Sequence, residues 1–175
     1  YLATGNEHNE AGHISEDPAN RVAQMDRRIE KLDLIREALD GKGTQTYHGP
    51  EDAEYGILTW GSHQDTVFEA VDRLNDAGRS VKALGVSDMM PYPVEEVTEF
   101  LESVEECVVV EMNATGQFRG LTQKELGRFG PKLSSLLKYN GNPFEPAEIV
   151  DGFESSIDGE ELAATNMKYV PAAGD

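Results

Sequence analysis

From residue 55 onward, short apolar runs alternate with segments in which apolar positions recur every three or four residues. The apolar runs predict strands, over residues 55–60, 81–86, 107–111 and 133–139. The segments between them predict helices, over about 63–77 and 93–103, then one ending near Gly127 and one opening at Phe144. This alternation indicates an α/β fold with a mostly parallel sheet flanked by helices, in which residues 107–111 form the central strand.

The residues before this alternating region have a different pattern. Residues 4–13, T-G-N-E-H-N-E-A-G-H, are polar and contain glycines, so they predict a loop or extended arm. Asp17 and Pro18 suit the start of a helix. Its apolar positions recur at spacings of mostly three and four: Val22, Met25, Ile29, Leu32, Ile35, Ala38 and Leu39. We predict an arm, helix and linker over residues 1–54, an α/β domain over 55–157, and a tail over 158–175.

The charge of the chain excludes two classes of partner. Fifteen basic and 33 acidic residues give a net charge of −18. Nucleic-acid binding depends on Lys and Arg, and an anionic membrane surface repels such a chain, so neither partner is expected. The carboxylates are spread along the chain and repel one another, and high salt relieves this repulsion by screening. We therefore expect a salt-adapted cytoplasmic protein.

Cysteine usage and short motifs exclude several kinds of site. Cys107 is the sole cysteine, so the chain alone forms no disulfide and no cysteine-rich metal or iron–sulfur site, and we expect a buried core thiol. The dinucleotide, P-loop and G-x-S-x-G patterns are absent. The chain contains no run of about 18 apolar residues, the length needed to span a bilayer.

Polar side chains in two places are candidates for function. Glu7, His8 and Glu10 lie in the predicted arm, where they either face a partner or form a solvated acidic loop. The spacing of His8 and His13 does not fit a zinc-binding helix. The strand over residues 107–111 ends in a carboxylate, Glu111, and two carboxamides follow it, Asn113 and Gln117. This strand end suits ligand binding or a subunit contact, or Asn113 or Thr115 simply caps the next helix.

Three segments resemble one enzyme family. Residues 4–31 resemble a segment of the alpha subunit of 2-oxoacid:ferredoxin oxidoreductases, in which T-G-x-E-H-x-E-x-G precedes E-D-P and a basic helix. Residues 55–62, ending in W-G-S, and residues 109–117, V-V-E-M-N-A-T-G-Q, are also similar to this family. The resemblance extends over most of residues 4–153, with the motifs in matching order.

Together with the acidic charge, the resemblance implies the C-terminal region of the alpha subunit from a halophilic archaeon, with a fold similar to the transketolase C-terminal domain. Family members convert a 2-oxoacid, CoA and oxidised ferredoxin to an acyl-CoA, CO2 and reduced ferredoxin, using thiamine diphosphate, Mg and 4Fe–4S clusters. The chain lacks a G-D-G…N motif and a cysteine cluster. We therefore expect the cofactors to lie in the beta subunit or elsewhere in the alpha subunit, and the chain, a fragment, to be inactive alone. Assembly and active-site framing would fall to Glu7, His8, Glu10, Glu111, Asn113 and Gln117.

Two alternatives remain open at this point. One is the C-terminal domain of a 2-oxoacid dehydrogenase beta subunit, whose fold is similar, although the E-H-x-E and E-D-P segments argue against it. The other is a salt-adapted, non-catalytic module that binds another protein through the apolar loop at residues 89–93. The sequence does not separate pyruvate from 2-oxoglutarate as the substrate.

Overall fold

A computed structural model of the chain describes residues 3–158 and 167–172. The chain divides into two compact units, one ending at Gly43 and the other beginning at Thr44. No helix in the described ranges is long and apolar enough to cross a membrane.

The first unit consists of a turned-back arm and one long helix. His8 and Ile14 form an antiparallel bridge, and Asn9 Oδ1 accepts hydrogen bonds from the backbone N–H groups of Ala11 and His13, at 3.1 and 3.0 Å. Helix α1 spans Pro18–Leu39, and Asp17 caps its first turn. None of its residues is buried. The predicted helix is therefore present, but its apolar positions belong to no hydrophobic core in the described structure.

The second unit contains a sheet of six strands within the described residues. In chain order these are β1 Thr46–His48, β2 Tyr55–Trp60, β3 Val81–Val86, β4 Glu106–Glu111, β5 Leu133–Lys138 and β6 Met167–Val170. Their order across the sheet is β1-β3-β2-β4-β5-β6. The four inner strands are parallel, and both edge strands are antiparallel to their neighbours. The predicted α/β fold with a mostly parallel sheet is confirmed.

Helices cover both faces of this sheet. They are α2 Gln64–Asp76, α3 Val94–Glu102, α4 Gln117–Leu126 and α5 Pro146–Asp158. Alternate residues of the inner strands face two hydrophobic clusters: Ile57 and Val108 pack with α2 and α5, whereas Leu58 and Val109 pack with α3 and α4. Strands buried on both faces need continuous apolar runs, which explains why the sequence pattern was clearest there.

The two edge strands correct the prediction at the ends of the α/β region. The predicted linker contains β1, and the predicted tail contains β6. Each strand has only three or four residues, and none of these residues is buried. Such short, half-exposed strands carry too few apolar positions to show an alternating pattern. The remainder of the predicted tail lies outside the described residues, apart from Asp158, the last residue of α5, and the two positions after β6.

Candidate functional site

Parallel strands β2 and β4 end at the same edge of the sheet, where polar side chains gather. Glu111, the last residue of β4, is fully buried. Its carboxylate accepts hydrogen bonds from the backbone N–H groups of Phe118 and Arg119, at 2.7 and 3.2 Å, and from Asn113 Nδ2 at 2.6 Å. These hydrogen bonds join the end of β4 to the start of α4. The N-terminus of a helix also stabilises a negative charge such as that of Glu111.

Asn113 organises the turn between β4 and α4. Its Oδ1 accepts hydrogen bonds from the backbone N–H groups of Thr115, Gly116 and Gln117, at 3.0, 2.8 and 3.3 Å. Gly116 has a left-handed backbone with φ 67°, which a side chain would strain. The N-cap position of α4 is occupied by Gly116, so Asn113 stabilises the turn before the helix, and neither Asn113 nor Thr115 is the N-cap residue. Gln117 is exposed at the first position of α4.

His63 belongs to the same edge, although the sequence analysis did not select it. Its buried Nε2 lies 2.9 Å from Thr59 Oγ1 and 3.1 Å from the Val110 carbonyl oxygen. Burial lowers the pKa of His63, with the Val110 hydrogen bond and the charge of Glu111 acting in the opposite direction. The indole Nε1 of Trp60 is buried without a hydrogen-bond partner among the described residues. The available sequence signal was their position, with Trp60 the last residue of β2 and His63 in the turn that follows.

A cavity of about 240 Å³ lies beside the β4–α4 turn. Residues of the turn, α4, β5 and β6 line it: Ala114, Thr115, Gly116, Arg119, Gly120, Gln123, Ser135, Leu137, Lys168 and Val170. Arg119 and Lys168 supply positive charge, and no lining residue is acidic. This arrangement suits the binding of a small anion better than acid–base catalysis.

In the first unit, Glu7 connects the arm to α1. Its carboxylate accepts hydrogen bonds from Arg28, at 2.5 and 3.2 Å, and from Arg21 at 3.1 Å. The hydrogen bond from Arg28 is the main cause of a pKa lowered to about 2. The backbone carbonyl of His8 accepts a hydrogen bond from Asn20 Nδ2 at 3.1 Å, and Glu10 is exposed. The structure brings together Glu7 and His8 in one unit, and Glu111 and Asn113 in the other.

The side chains do not fit an iron–sulfur cluster. No group of three or more His, Cys, Asp or Glu residues is placed to hold a metal ion within residues 3–158 and 167–172. Cluster ligands are cysteine thiolates, whereas complete burial of Cys107 raises the pKa of its thiol to about 12. The position of Cys107 in the core matches the prediction.

The apolar loop after β3 is partly internal. Tyr92 is buried, and its hydroxyl donates a hydrogen bond to Thr122 Oγ1 at 2.8 Å. Met90 is 55% exposed. The loop therefore contributes Tyr92 to the core beside α3 and α4, and it leaves one large apolar side chain at the surface.

Two known proteins similar to this chain are named as alpha subunits of 2-oxoacid:ferredoxin oxidoreductases. The 2-oxoacid:ferredoxin oxidoreductase 1 subunit alpha of Aeropyrum pernix is 33% identical over 85% of this chain and 23% of its own length. Its Sulfurisphaera tokodaii counterpart is 30% identical over 93% of this chain and 25% of its own. The chain thus spans about a quarter of the length of these relatives. The alternative of a 2-oxoacid dehydrogenase beta subunit is not favoured.

A solved structure has the same fold over most of the chain. The 2-oxoglutarate:ferredoxin oxidoreductase from Magnetococcus marinus, with 2-oxoglutarate, coenzyme A and succinyl-CoA bound, superimposes with a TM-score of 0.69. The two are 31% identical, over 89% of this chain and 26% of the other. The family model for pyruvate:ferredoxin oxidoreductase core domain II matches residues 53–149, more than half of the chain. The chain therefore belongs to the family of pyruvate:ferredoxin oxidoreductase core domain II.

Proposed function

We propose that the chain is the C-terminal domain of the alpha subunit of a 2-oxoacid:ferredoxin oxidoreductase, and that it acts in subunit assembly and active-site framing. The observation that carries the proposal is the family match over residues 53–149, together with relatives named as alpha subunits. The inward-facing polar groups support a framing role, because Glu111 and Asn113 direct their oxygens to the chain's own amide groups. Such groups fix a turn rather than react with a substrate.

The chemistry belongs to the complete enzyme. That enzyme converts a 2-oxoacid, CoA and oxidised ferredoxin to an acyl-CoA, CO2 and reduced ferredoxin. Thiamine diphosphate, Mg and 4Fe–4S clusters would be held by the beta subunit and by other parts of the alpha subunit. The lone, buried Cys107 supports this division, since thiolate ligands are needed for a cluster. The isolated chain is then inactive.

The first unit is the proposed contact with the beta subunit. Its helix α1 has no buried residue, and Val22, Met25 and Ile29 are exposed along one face at spacings of three and four. Five of the 15 basic residues of the chain lie in α1, against four acidic ones, so this helix suits an acidic neighbour. Glu7, His8 and Glu10 lie in the arm that Arg28 and Asn20 hold against this helix.

Substitution of Glu7 tests this contact in the complete enzyme. Glu7→Gln removes the charge that binds Arg21 and Arg28, so we expect weaker association of the alpha and beta subunits in size-exclusion chromatography. Asp33→Asn is the matched control, because it breaks an exposed ion pair with Arg36 on α1 itself. Equal association of the two variants would disprove the assembly role of the arm.

We also propose that the protein is adapted to high salt and lies in the cytoplasm. The net charge of −18 supports it, because self-repulsion of this size is relieved when salt screens the carboxylates. Carboxylates also dominate the second unit, where residues 44–175 contain 24 acidic and 9 basic side chains. Unfolding measurements at low and molar KCl test the adaptation directly.

A further inference from the structure

The cavity beside the β4–α4 turn differs in charge from the rest of the chain. Acidic residues outnumber basic ones by 33 to 15, yet none of the lining residues is Asp or Glu. Two cations, two hydroxyl groups and one carboxamide line it, from Arg119, Lys168, Thr115, Ser135 and Gln123. All of these side chains can donate hydrogen bonds, which is what an oxyanion requires.

Neither cation of this cavity is neutralised by an ion pair in the described part of the chain. Arg119 Nη1 donates to the backbone carbonyl oxygens of Val170 and Pro171, both at 3.1 Å, and lies 3.5 Å from Ser135 Oγ. These acceptors are uncharged, so they position the guanidinium without cancelling its charge. The Glu111 carboxylate also lies near this cavity, since a Cβ atom on Gly116 would be 3.6 Å from its Oε1, but it already accepts hydrogen bonds from Asn113 Nδ2 and from the backbone N–H groups of Phe118 and Arg119.

The site does not rely on the N-terminus of α4. The backbone N–H groups there already donate to Asn113 and Glu111. The available donors are therefore side chains. Gly120, one turn further along α4, faces open space, because a Cβ atom placed there would meet nothing within 4 Å. The first two turns of α4 therefore provide both open space, at Gly120, and positive charge, at Arg119.

We propose that this cavity binds the oxyanion group of a small molecule, a phosphate or a carboxylate. Pockets for drug-sized ligands are about 300–1,000 Å³, so a cavity of about 240 Å³ suits one such group with its adjoining atoms. Arg119 supplies a planar set of donors, Lys168 a mobile charge, and Thr115 and Ser135 hydroxyl donors. Anion binding at this cavity depends only on its lining residues and not on the proposed oxidoreductase function.

Titration of the chain with inorganic phosphate, and separately with acetate, tests the site by NMR or calorimetry. Lys168→Gln removes a cavity charge from an exposed side chain, and we expect about threefold weaker binding. Lys124→Gln is the matched control: it makes the same change in net charge on α4, 76% exposed and outside the cavity lining. Gly120→Leu fills the cavity from a helical position and should abolish binding.

The outcomes separate specific from general effects. Phosphate binding that is weakened by Lys168→Gln and unchanged by Lys124→Gln supports the site, and the relative affinities for phosphate and acetate show which oxyanion the cavity prefers. Equal weakening by both lysine variants would reduce the effect to net charge and overturn the proposal. So would the absence of binding to the unaltered chain at about 50 mM of either anion, where even a weak site is occupied. If Gly120→Leu does not fold, the lysine pair still decides.

Discussion

Replacement of Glu111 by glutamine changes one atom in a fully buried polar contact of the domain. The Glu111 carboxylate is fully buried and accepts hydrogen bonds from Phe118 N–H, Arg119 N–H and Asn113 Nδ2. Glutamine has the same shape, but one acceptor oxygen becomes an NH2 donor. At least one buried donor then loses its acceptor, and two donors face each other.

The expected cost follows from the hydrogen bonds. A hydrogen bond to a charged group contributes about 1.5–3 kcal/mol, and leaving a buried donor without a partner costs about 1–3 kcal/mol. Loss of the negative charge at the start of α4 adds to this, whereas relief from burying that charge opposes it. We expect Glu111→Gln to lower the free energy of unfolding by about 2–3 kcal/mol. For a domain of this size the Tm falls by about 5–10 °C.

Urea denaturation of the 175-residue chain in molar KCl measures this difference. Glu95→Gln is the control, because Glu95 is also a carboxylate in the first turn of a helix, α3, but is exposed. We expect the control to change the free energy of unfolding by less than about 0.5 kcal/mol. If Glu111→Gln is no more destabilising than Glu95→Gln, the carboxylate does not hold the turn and the framing argument fails.

Three further predictions concern charge. The pKa of Glu7 is lowered to about 2, so ¹³C NMR should show its carboxylate ionised at pH 4, and Arg28→Gln should move the titration toward 4.5. Stabilisation from that ion pair is present above pH 4.5 and disappears as pH falls toward 2. Burial lowers the pKa of His63 below 6.5, so the unfolded state binds protons first and the free energy of unfolding should fall as pH drops below about 6.5. His63→Gln should flatten that dependence, and an unchanged slope would refute it. Finally, the Tm should rise between low and molar KCl, and a constant Tm would contradict salt adaptation.

The inner sheet was predictable because burial on both faces leaves a continuous apolar run. Strands β2 to β5 match the predicted ones to within a residue at either end. The edge strands were missed for the opposite reason, since β1 and β6 are short and their pairing depends on distant partners. Thr46, for example, pairs with Gly85 of β3. The spacing of apolar residues within a short segment does not show which distant strand pairs with it.

Candidate residues were easier to place than to interpret. The position of Glu111 at a strand end predicted that it lies at the edge of the sheet formed by the carboxyl ends of the parallel strands, and it does. Its inward orientation depends on α4 starting six residues later, so that the N–H groups of Phe118 and Arg119 reach the carboxylate. The cavity lined by Arg119 and Lys168 joins residues 49 positions apart, through the pairing of β5 with β6. No short sequence motif predicts a site of this kind.

Helix α1 marks the limit of periodicity. The spacing of Val22, Met25 and Ile29 predicted one apolar face, and the helix is present, yet these side chains are exposed. Periodicity specifies that a helix has an apolar face, whereas it does not specify which surface covers that face. The proposed contact with the beta subunit supplies that surface, and it stays a prediction.

Ferredoxin reduction measured with and without the rest of the enzyme tests the central claim most directly. The chain is incubated anaerobically with thiamine diphosphate, Mg, iron and sulfide, then assayed with CoA, ferredoxin and either pyruvate or 2-oxoglutarate. The complete oxidoreductase carrying this domain is assayed in parallel. We predict ferredoxin reduction by the complete enzyme and none by the chain, with no iron retained after gel filtration. Ferredoxin reduction by the chain alone, or iron retained by it in stoichiometric amount, would contradict the claim that this domain only frames chemistry performed by the rest of the enzyme.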